Sequence, residues 1–137
     1  MKVWNNGAKV QNIDREIAFF EAMGGSVVLD EELQWEGERI RVPLLRVGDK
    51  YLHIMQRMVY EDRLSEPLPA GLQHVVYEVD SLSDYRDRAL RAGATETMPV
   101  KHVVAGFGIR DVGFFRSPGG IRFELIEVYE HTVPELP

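Results

Sequence analysis

The feature that most constrains the fold of this chain is an internal duplication. Three landmarks return after a fixed interval of 69 residues, since Val10, Ile13 and Gly24 in the first half correspond to Val79, Leu82 and Gly93 in the second. In each half the chain passes from an extended stretch into a helical one that ends at a glycine. A repeat of this length is one supersecondary unit used twice, so the two halves are expected to fold alike.

The second copy displays the unit most clearly. Residues 73–79 alternate between two strand faces, with Val75, Tyr77 and Val79 on one face and His74, Val76 and Glu78 on the other. Ser81 is a suitable N-cap for the helix that follows, and the helix can cover the first of these faces with the apolar stripe Leu82, Tyr85, Ala89 and Ala92. Strands are predicted at 96–104, 109–116 and 121–129, with a tight turn at 117–120.

The first copy follows the same pattern. Asn12 is the predicted N-cap, the helix buries Ile13, Ile17 and Phe20, and strands are expected at 26–33, 40–47 and 50–57. The sequence therefore predicts a single α+β domain over 1–137 built from tandem βαβββ copies. The first copy spans 1–57, a proline-containing linker spans 58–71, the second copy spans 72–130, and 131–137 form a tail.

Composition narrows the classes of partner. The formal net charge is -6 and the acidic residues are scattered, so nucleic acid is not an expected partner. The chain has no cysteine, which excludes disulfides, thiolate metal sites and a cysteine nucleophile. It shows no secretory signal pattern and no run of about 18 apolar residues. We expect a soluble cytoplasmic protein that binds a small molecule and no membrane.

Three titratable residues lie in the first and last strands of the repeat, and two of them occupy matching places. His74 opens the first strand of the second copy on the face away from the helix, and Glu124 lies on one face of the last strand with Ile126. His53 holds the place of Glu124 in the first copy. Two imidazoles and a carboxylate suit a divalent metal with open positions. The alternatives are a hydrogen-bonded or surface histidine at each His, and at Glu124 an exposed carboxylate paired with Arg122 or Arg116.

The duplicated unit, together with the segments HVVYEVD at 74–80 and FFRSPGGIRFELIE at 114–127, resembles the glyoxalase/bleomycin-resistance/dioxygenase superfamily, also called vicinal oxygen chelate proteins. The resemblance covers nearly the whole chain. It implies a cupped eight-stranded mixed sheet around one cleft, and a homodimer. Metal ligands in this family come from the first and last strands of each copy, and these positions carry over to Asn5, His53, His74 and Glu124.

The chain departs from the family pattern in two places. Asn5, with Asn6 as the register alternative, stands where His or Gln is common, and His53 stands where Glu is common, which argues against a glyoxalase I site. The turn reads Ser-Pro-Gly-Gly instead of Asp-Pro-Asp-Gly. The set His53, His74 and Glu124 is similar in ligand type, though not in placement, to the two-His-one-carboxylate set that holds iron in extradiol dioxygenases.

The resemblance leads us to expect an enzyme that uses a divalent ion (Fe, Mn, Ni or Zn) to chelate the oxygens of a small organic substrate, in a lyase, isomerase or dioxygenase reaction. Glu124 is the predicted catalytic residue as well as a ligand. Substrate contacts are predicted at Trp4, Met55, His102, Phe107 and Phe115, with core packing as the alternative for the aromatic residues and a strand-edge position for His102. A metal-free binding protein, such as a drug-sequestering resistance protein, is the second hypothesis, and Asn5 favours it. A scaffold that binds a protein partner is the third.

Overall fold

The computed structural model describes residues 1–136, and Pro137, the last residue of the predicted tail, lies outside the described residues. The elements in chain order are β1 (Lys2–Lys9), α1 (Ile13–Ala22), β2 (Ser26–Leu29), β3 (Glu32–Trp35), β4 (Glu38–Arg41), β5 (Leu44–Val47), β6 (Lys50–Met55), a 3-10 helix (Glu61–Arg63), β7 (Gly71–Glu78), α2 (Leu82–Arg91), β8 (Thr95–Ala105), β9 (Gly108–Arg116) and β10 (Arg122–His131).

Eight of the strands form one hydrogen-bonded sheet in the order β2-β5-β6-β1-β7-β10-β9-β8. The sheet is mixed, because β1 runs parallel to β6 and β7 runs parallel to β10, whereas the other recorded pairings are antiparallel. Within each copy the first strand lies beside the last, followed by the third and then the second. The predicted α+β fold with an eight-stranded mixed sheet is confirmed.

The chain divides into two compact units. The N-terminal unit comprises residues 5–73 together with the tail from Val133, and the C-terminal unit comprises residues 1–4 and 74–132. The core of the N-terminal unit packs α1 on its strands through Ala8, Val10, Ile13, Leu45 and Ile54. The core of the C-terminal unit packs α2 on its strands through Val79, Leu82, Phe115 and Leu125.

Both helices begin and end as predicted. Asn12 accepts a hydrogen bond from the Arg15 amide at 3.0 Å, and Ser81 accepts one from the Asp84 amide at 3.3 Å. These caps satisfy a backbone donor that the first helical turn leaves without a partner. After each helix a glycine adopts the left-handed conformation that L side chains disfavour, with φ of 96° at Gly24 and 99° at Gly93.

The predicted bounds of the first two strands after α1 are wrong, because the first copy contains an additional hairpin. Strands β3 and β4 pair with each other in a separate two-stranded sheet, joined by a turn in which Glu36 (φ 49°) and Gly37 (φ 82°) both have positive φ. Pro43 lies between β4 and β5, where the chain leaves the hairpin and enters the large sheet, and a proline has no amide hydrogen for a sheet ladder. The predicted strands 26–33 and 40–47 are therefore each divided in two.

The predicted linker, 58–71, is anchored to the N-terminal unit. Met58 and Tyr60 are almost fully buried. Glu61, which opens the 3-10 helix, accepts hydrogen bonds from the Lys9 ammonium at 3.0 Å and from the Met58 amide at 3.1 Å. Over residues 1–136, neither helix has the length and apolar character needed to cross a membrane.

Candidate functional site

In the C-terminal unit, the first and last strands bring His74 and Glu124 together. The parallel register of β7 and β10 pairs Glu124 with Val76, two residues after His74 and on the same strand face. His74 Nε2 lies 3.4 Å from Glu124 Oε2, and the two side chains are only 5% and 13% exposed. The ring of Phe114 meets the His74 imidazole edge-on at 5.6 Å and shields it from water.

The separation of this pair suits two ligands of one metal ion. A direct hydrogen bond between an imidazole and a carboxylate has its usual length at about 2.7–3.2 Å. Two donors that each lie about 2.1 Å from the same ion at a tetrahedral angle are about 3.4 Å apart, which is the distance between His74 Nε2 and Glu124 Oε2. An imidazole and a carboxylate are also donors that zinc, iron, manganese and nickel accept.

The N-terminal unit repeats the register with other residues. Here β1 and β6 pair Gly7 with His53, and Asn5 lies two residues before Gly7. This is the arrangement of the C-terminal unit, where His74 lies two residues before Val76. Asn5 is fully buried and its Nδ2 lies 3.4 Å from His53 Nδ1. Asn6 pairs with Leu52 and has the opposite facing, so Asn5 is the structural counterpart of His74 and His53 that of Glu124.

The Asn5 amide could orient the ring of His53, which is a candidate metal ligand. Its Oδ1 is buried and has no hydrogen-bond partner among residues 1–136. Turning the amide over about its Cβ–Cγ bond would let Oδ1 accept a proton from His53 Nδ1, which fixes the tautomer whose Nε2 can bind a metal. In that arrangement His53 would present Nε2 to a metal, and Asn5 would orient the imidazole ring. Within either unit, over the described residues, no group of three or more His, Asp or Glu side chains is arranged to hold an ion.

Phe115, one of the predicted substrate contacts, lies on the face of the C-terminal sheet opposite His74. Phe115 is buried in the core under α2 and stacks on Phe123 at 5.5 Å. It is the neighbouring Phe114 that contacts His74. Because adjacent strand residues face opposite ways, a one-residue difference moves a side chain from the site to the core. The proposed site therefore excludes Phe115.

His102 also lies away from His74, in an exposed cluster with Asp111 and Tyr129. Its Nδ1 is 2.7 Å from Asp111 Oδ1, and the Tyr129 hydroxyl donates to Asp111 at 2.7 Å. Burial raises the pKa of Asp111, but the hydrogen bonds from Tyr129 and His102 outweigh it and hold the pKa below its usual value. His102 is 58% exposed and pairs across β8 and β9 with Asp111, on the face opposite Phe114, so the proposed site excludes it.

Trp4 and Phe107 enclose a residue that the sequence interpretation overlooked. The guanidinium of Arg110 lies 4.4 Å from the Trp4 ring centre and 4.6 Å from that of Phe107, and it donates to the Phe107 carbonyl at 2.9 Å. Arg110 is only 1% exposed. Arg110 shares a strand face with Val112 and Phe114. The two-residue spacing that places it on this face is visible in the sequence. In the N-terminal unit, Met55 is 7% exposed and follows His53 on the same face of β6.

Comparisons with known proteins agree with this fold. Residues 8–125 match the Glyoxalase/Bleomycin resistance protein/Dioxygenase superfamily. Methylmalonyl-CoA epimerase from Mycobacterium tuberculosis is 19% identical with a TM-score of 0.69, and the match covers 93% of this chain and 88% of that chain. A hypothetical protein from Bacillus halodurans C-125 is 16% identical with a TM-score of 0.69, covering 96% of each chain.

A protein with a different name and a longer chain has the same fold. A variant of 4-hydroxymandelate synthase from Streptomyces coelicolor is 14% identical with a TM-score of 0.65, and the match covers 94% of this chain and 48% of that chain. A search of curated protein sequences found no match. At these identities the solved structures show a common fold, whereas the family match spans most of the sequence. The chain therefore belongs to the glyoxalase/bleomycin resistance protein/dioxygenase superfamily.

Proposed function

We propose that this protein is a metal-dependent enzyme that acts on a small organic substrate, in a lyase, isomerase or dioxygenase reaction. The observation that carries the proposal is the shielded pair of His74 Nε2 and Glu124 Oε2 at 3.4 Å on one sheet face. An imidazole and a carboxylate are both ligands of divalent cations, so their juxtaposition at a shielded position favours a site that binds a cation. Asn5 and His53 remain the further ligands expected from the family resemblance.

The residues of the C-terminal unit supply distinct parts of the chemistry. A bound divalent ion would act as a Lewis acid toward substrate oxygens, or would support dioxygen chemistry if it is iron. His74 and Glu124 would hold the ion, and Phe114 would keep water away from the imidazole. Glu124 presents Oε2 to His74, so its other oxygen, Oε1, is the atom we assign to holding or accepting a substrate proton.

The superfamily membership supports an enzyme, and the similar structures include an epimerase and a synthase. Neither name fixes the substrate of this chain, because one fold hosts many reactions. The first question for experiment is therefore whether a divalent ion binds, and at which residues.

Metal analysis of the purified chain tests the proposal. Protein incubated with iron, manganese, nickel or zinc and then desalted should retain about one ion per chain for at least one of these metals. His74→Ala should lose this ion, because half of the His74–Glu124 pair is gone. His102→Ala is the matched control, since it removes an exposed histidine on the opposite face. The proposal fails if wild-type protein retains none of the four metals, or if His74→Ala retains the same ion with unchanged affinity.

A metal-free small-molecule-binding or drug-sequestering protein is the second candidate. The observation that favours it is Asn5, which occupies the position equivalent to His74 and is a shorter, weaker ligand than histidine. Such a protein would bind an organic ligand with the same affinity in the presence and absence of a chelator. A chelator-sensitive affinity would instead support the enzyme.

A further inference from the structure

The C-terminal unit has an open groove between α2 and its strands. The groove has a volume of about 440 Å³, which is within the range of small-molecule sites. Tyr77 and Phe123 from the strands and Ala89 from α2 line it. Tyr77 and Phe123 have the opposite facing from His74 and Glu124 on the same two strands. The groove is therefore separate from the proposed metal site.

In the N-terminal unit an aromatic side chain fills the equivalent place. Phe20 precedes Ala89 by the repeat interval of 69 residues, and it packs against a core that includes Ile54. Ile54 is the counterpart of Leu125, since each pairs with the first strand of its unit in the same register, and Leu125 lines the groove. The repeat thus shows that a phenyl ring fits against this surface. In α2 that place is open, because Ala89 has only a methyl group.

The groove is apolar from its floor to its rim. On the floor, the rings of Tyr77 and Phe123 meet edge-on with their centres 6.3 Å apart. At the rim, Met1 and Ile121 are 71% and 66% exposed. Exposed apolar side chains around a concave surface are typical of a ligand-binding groove. The aromatic floor favours an aromatic ligand, because rings also attract one another through edge-to-face and offset contacts.

The charge at the groove comes from Arg88. Among residues 1–136 it is the one charged side chain in the lining, and no Asp or Glu lines the groove. The Arg88 guanidinium lies over the Tyr85 ring, 4.8 Å from the ring centre. This contact uses the flat face of the guanidinium, whereas its N–H donors lie in the plane of the group and stay able to bind an oxyanion. The groove is therefore complementary to an apolar molecule with an anionic end.

We propose that this groove binds a small aromatic carboxylic acid. The ring of the ligand packs on Tyr77 and Phe123 beside Ala89, in the place that Phe20 holds in the N-terminal unit. Its carboxylate accepts hydrogen bonds from Arg88. Burial of the ring supplies most of the affinity, because an ion pair with an exposed arginine contributes little. The inference does not depend on the proposed function, since the two sites lie on opposite faces of the sheet.

An NMR titration of ¹⁵N-labelled protein with three related probes tests both parts of the recognition. The first probe, 3-phenylpropionate, has a ring and a carboxylate, and it should bind at one site per chain and shift the amides of α2 and of residues 121–125. Propionate lacks the ring and should bind at least tenfold more weakly. The third probe, 3-phenylpropylamine, has a cation in place of the carboxylate and should bind at least fivefold more weakly.

Three variants locate the binding. Ala89→Phe fills the groove and should weaken 3-phenylpropionate binding at least tenfold. Arg88→Gln should weaken it about three- to fivefold, which is the size of an exposed ion pair. Arg91→Gln is the matched control, because it removes an exposed arginine of α2 that does not line the groove, and it should change the affinity less than twofold. Thermal unfolding establishes that each variant is folded. If Ala89→Phe is not, Arg88→Gln and the probe series decide the question.

The results that overturn the site are distinct from those that overturn the proposed function. The groove is not a binding site for aromatic acids if wild-type protein shows no saturable shifts up to about 10 mM 3-phenylpropionate. It is equally excluded if folded Ala89→Phe binds the probe as tightly as wild type, or if the amine binds as tightly as the acid. His74→Ala should lose the metal ion and bind 3-phenylpropionate with unchanged affinity. A loss of probe binding in His74→Ala would place the probe at the metal site and overturn the groove.

Discussion

The two units of this protein have the same strand register and different side chains at its centre. In the C-terminal unit the register brings an imidazole and a carboxylate to 3.4 Å, and in the N-terminal unit it brings a carboxamide and an imidazole to the same separation. The surrounding strand order is identical in both. The comparison teaches that backbone pairing is specified by the apolar residues of each core, while the chemistry depends on two side chains that can change without disturbing that pairing.

The helices of the two units also carry different side chains at an equivalent position. Phe20 on α1 packs against the core of the N-terminal unit, whereas the residue 69 positions later on α2 is Ala89. Beside Ala89 lies a groove of about 440 Å³, lined mainly by apolar residues of the C-terminal unit: Met1, Tyr77, Tyr85, Ala92, Ile121, Phe123 and Leu125. One unit thus fills the space beside its helix with a large side chain, and the other leaves it open.

Restoring the symmetry of the ligands should produce the largest effect. Asn5→His places an imidazole at the counterpart of His74, and we expect metal affinity to rise roughly 10- to 100-fold, because a stronger donor replaces a carboxamide. The measurement is a competition titration against a chromophoric chelator. Asn6→His is the matched control, since Asn6 pairs with Leu52 and has the opposite facing. Equal gains in both variants, or a loss in Asn5→His, would show that Asn5 is not equivalent to His74.

The sequence was sufficient for the features that repeat. The helix positions, their caps and the closing glycines were predictable because each rests on local chemistry that occurs twice at the same interval. The β3–β4 hairpin was missed because it occurs in one copy only. Its signals are Gly37, which lay between the predicted strands 26–33 and 40–47, and Pro43, which lay within the second of them.

The site was predictable only in part. His74 and Glu124 could be selected because strand alternation assigns each to a face, and the structure brings them into contact. Alternation could not decide between Phe114 and Phe115, which are adjacent and both aromatic. The facing of His102 was obscured by irregularities in the β8–β9 pairing between Glu96 and Lys101. The predicted alternative for Glu124 was an ion pair with Arg122 or Arg116, and the structure places His74 within ion-pair distance of it.

The contrast between Phe20 and Ala89 predicts a smaller effect, on stability. Phe20→Ala should lower the free energy of unfolding by about 1.5 kcal/mol, roughly half the loss for a fully buried phenylalanine, because Phe20 is only partly buried. Ala89→Phe should leave the stability unchanged or raise it, since its ring enters an existing groove. Urea unfolding of both variants gives the comparison. A large destabilisation by Ala89→Phe would mean that the two helix faces are not equivalent.

The smallest predicted difference concerns the helix caps, where the two units should respond alike. Asn12→Ala and Ser81→Ala each remove one side-chain acceptor for a backbone amide in the first helical turn, and each should cost about 1 kcal/mol. The Asn12 bond is shorter, at 3.0 Å compared with 3.3 Å for Ser81, so Asn12→Ala should cost the same or slightly more. Urea unfolding measures both values against a Ser65→Ala control, which changes an exposed serine outside both helices. If one cap variant cost several times more than the other, the two helices would not contribute equally to their units, and the duplication would be a similarity of backbone alone.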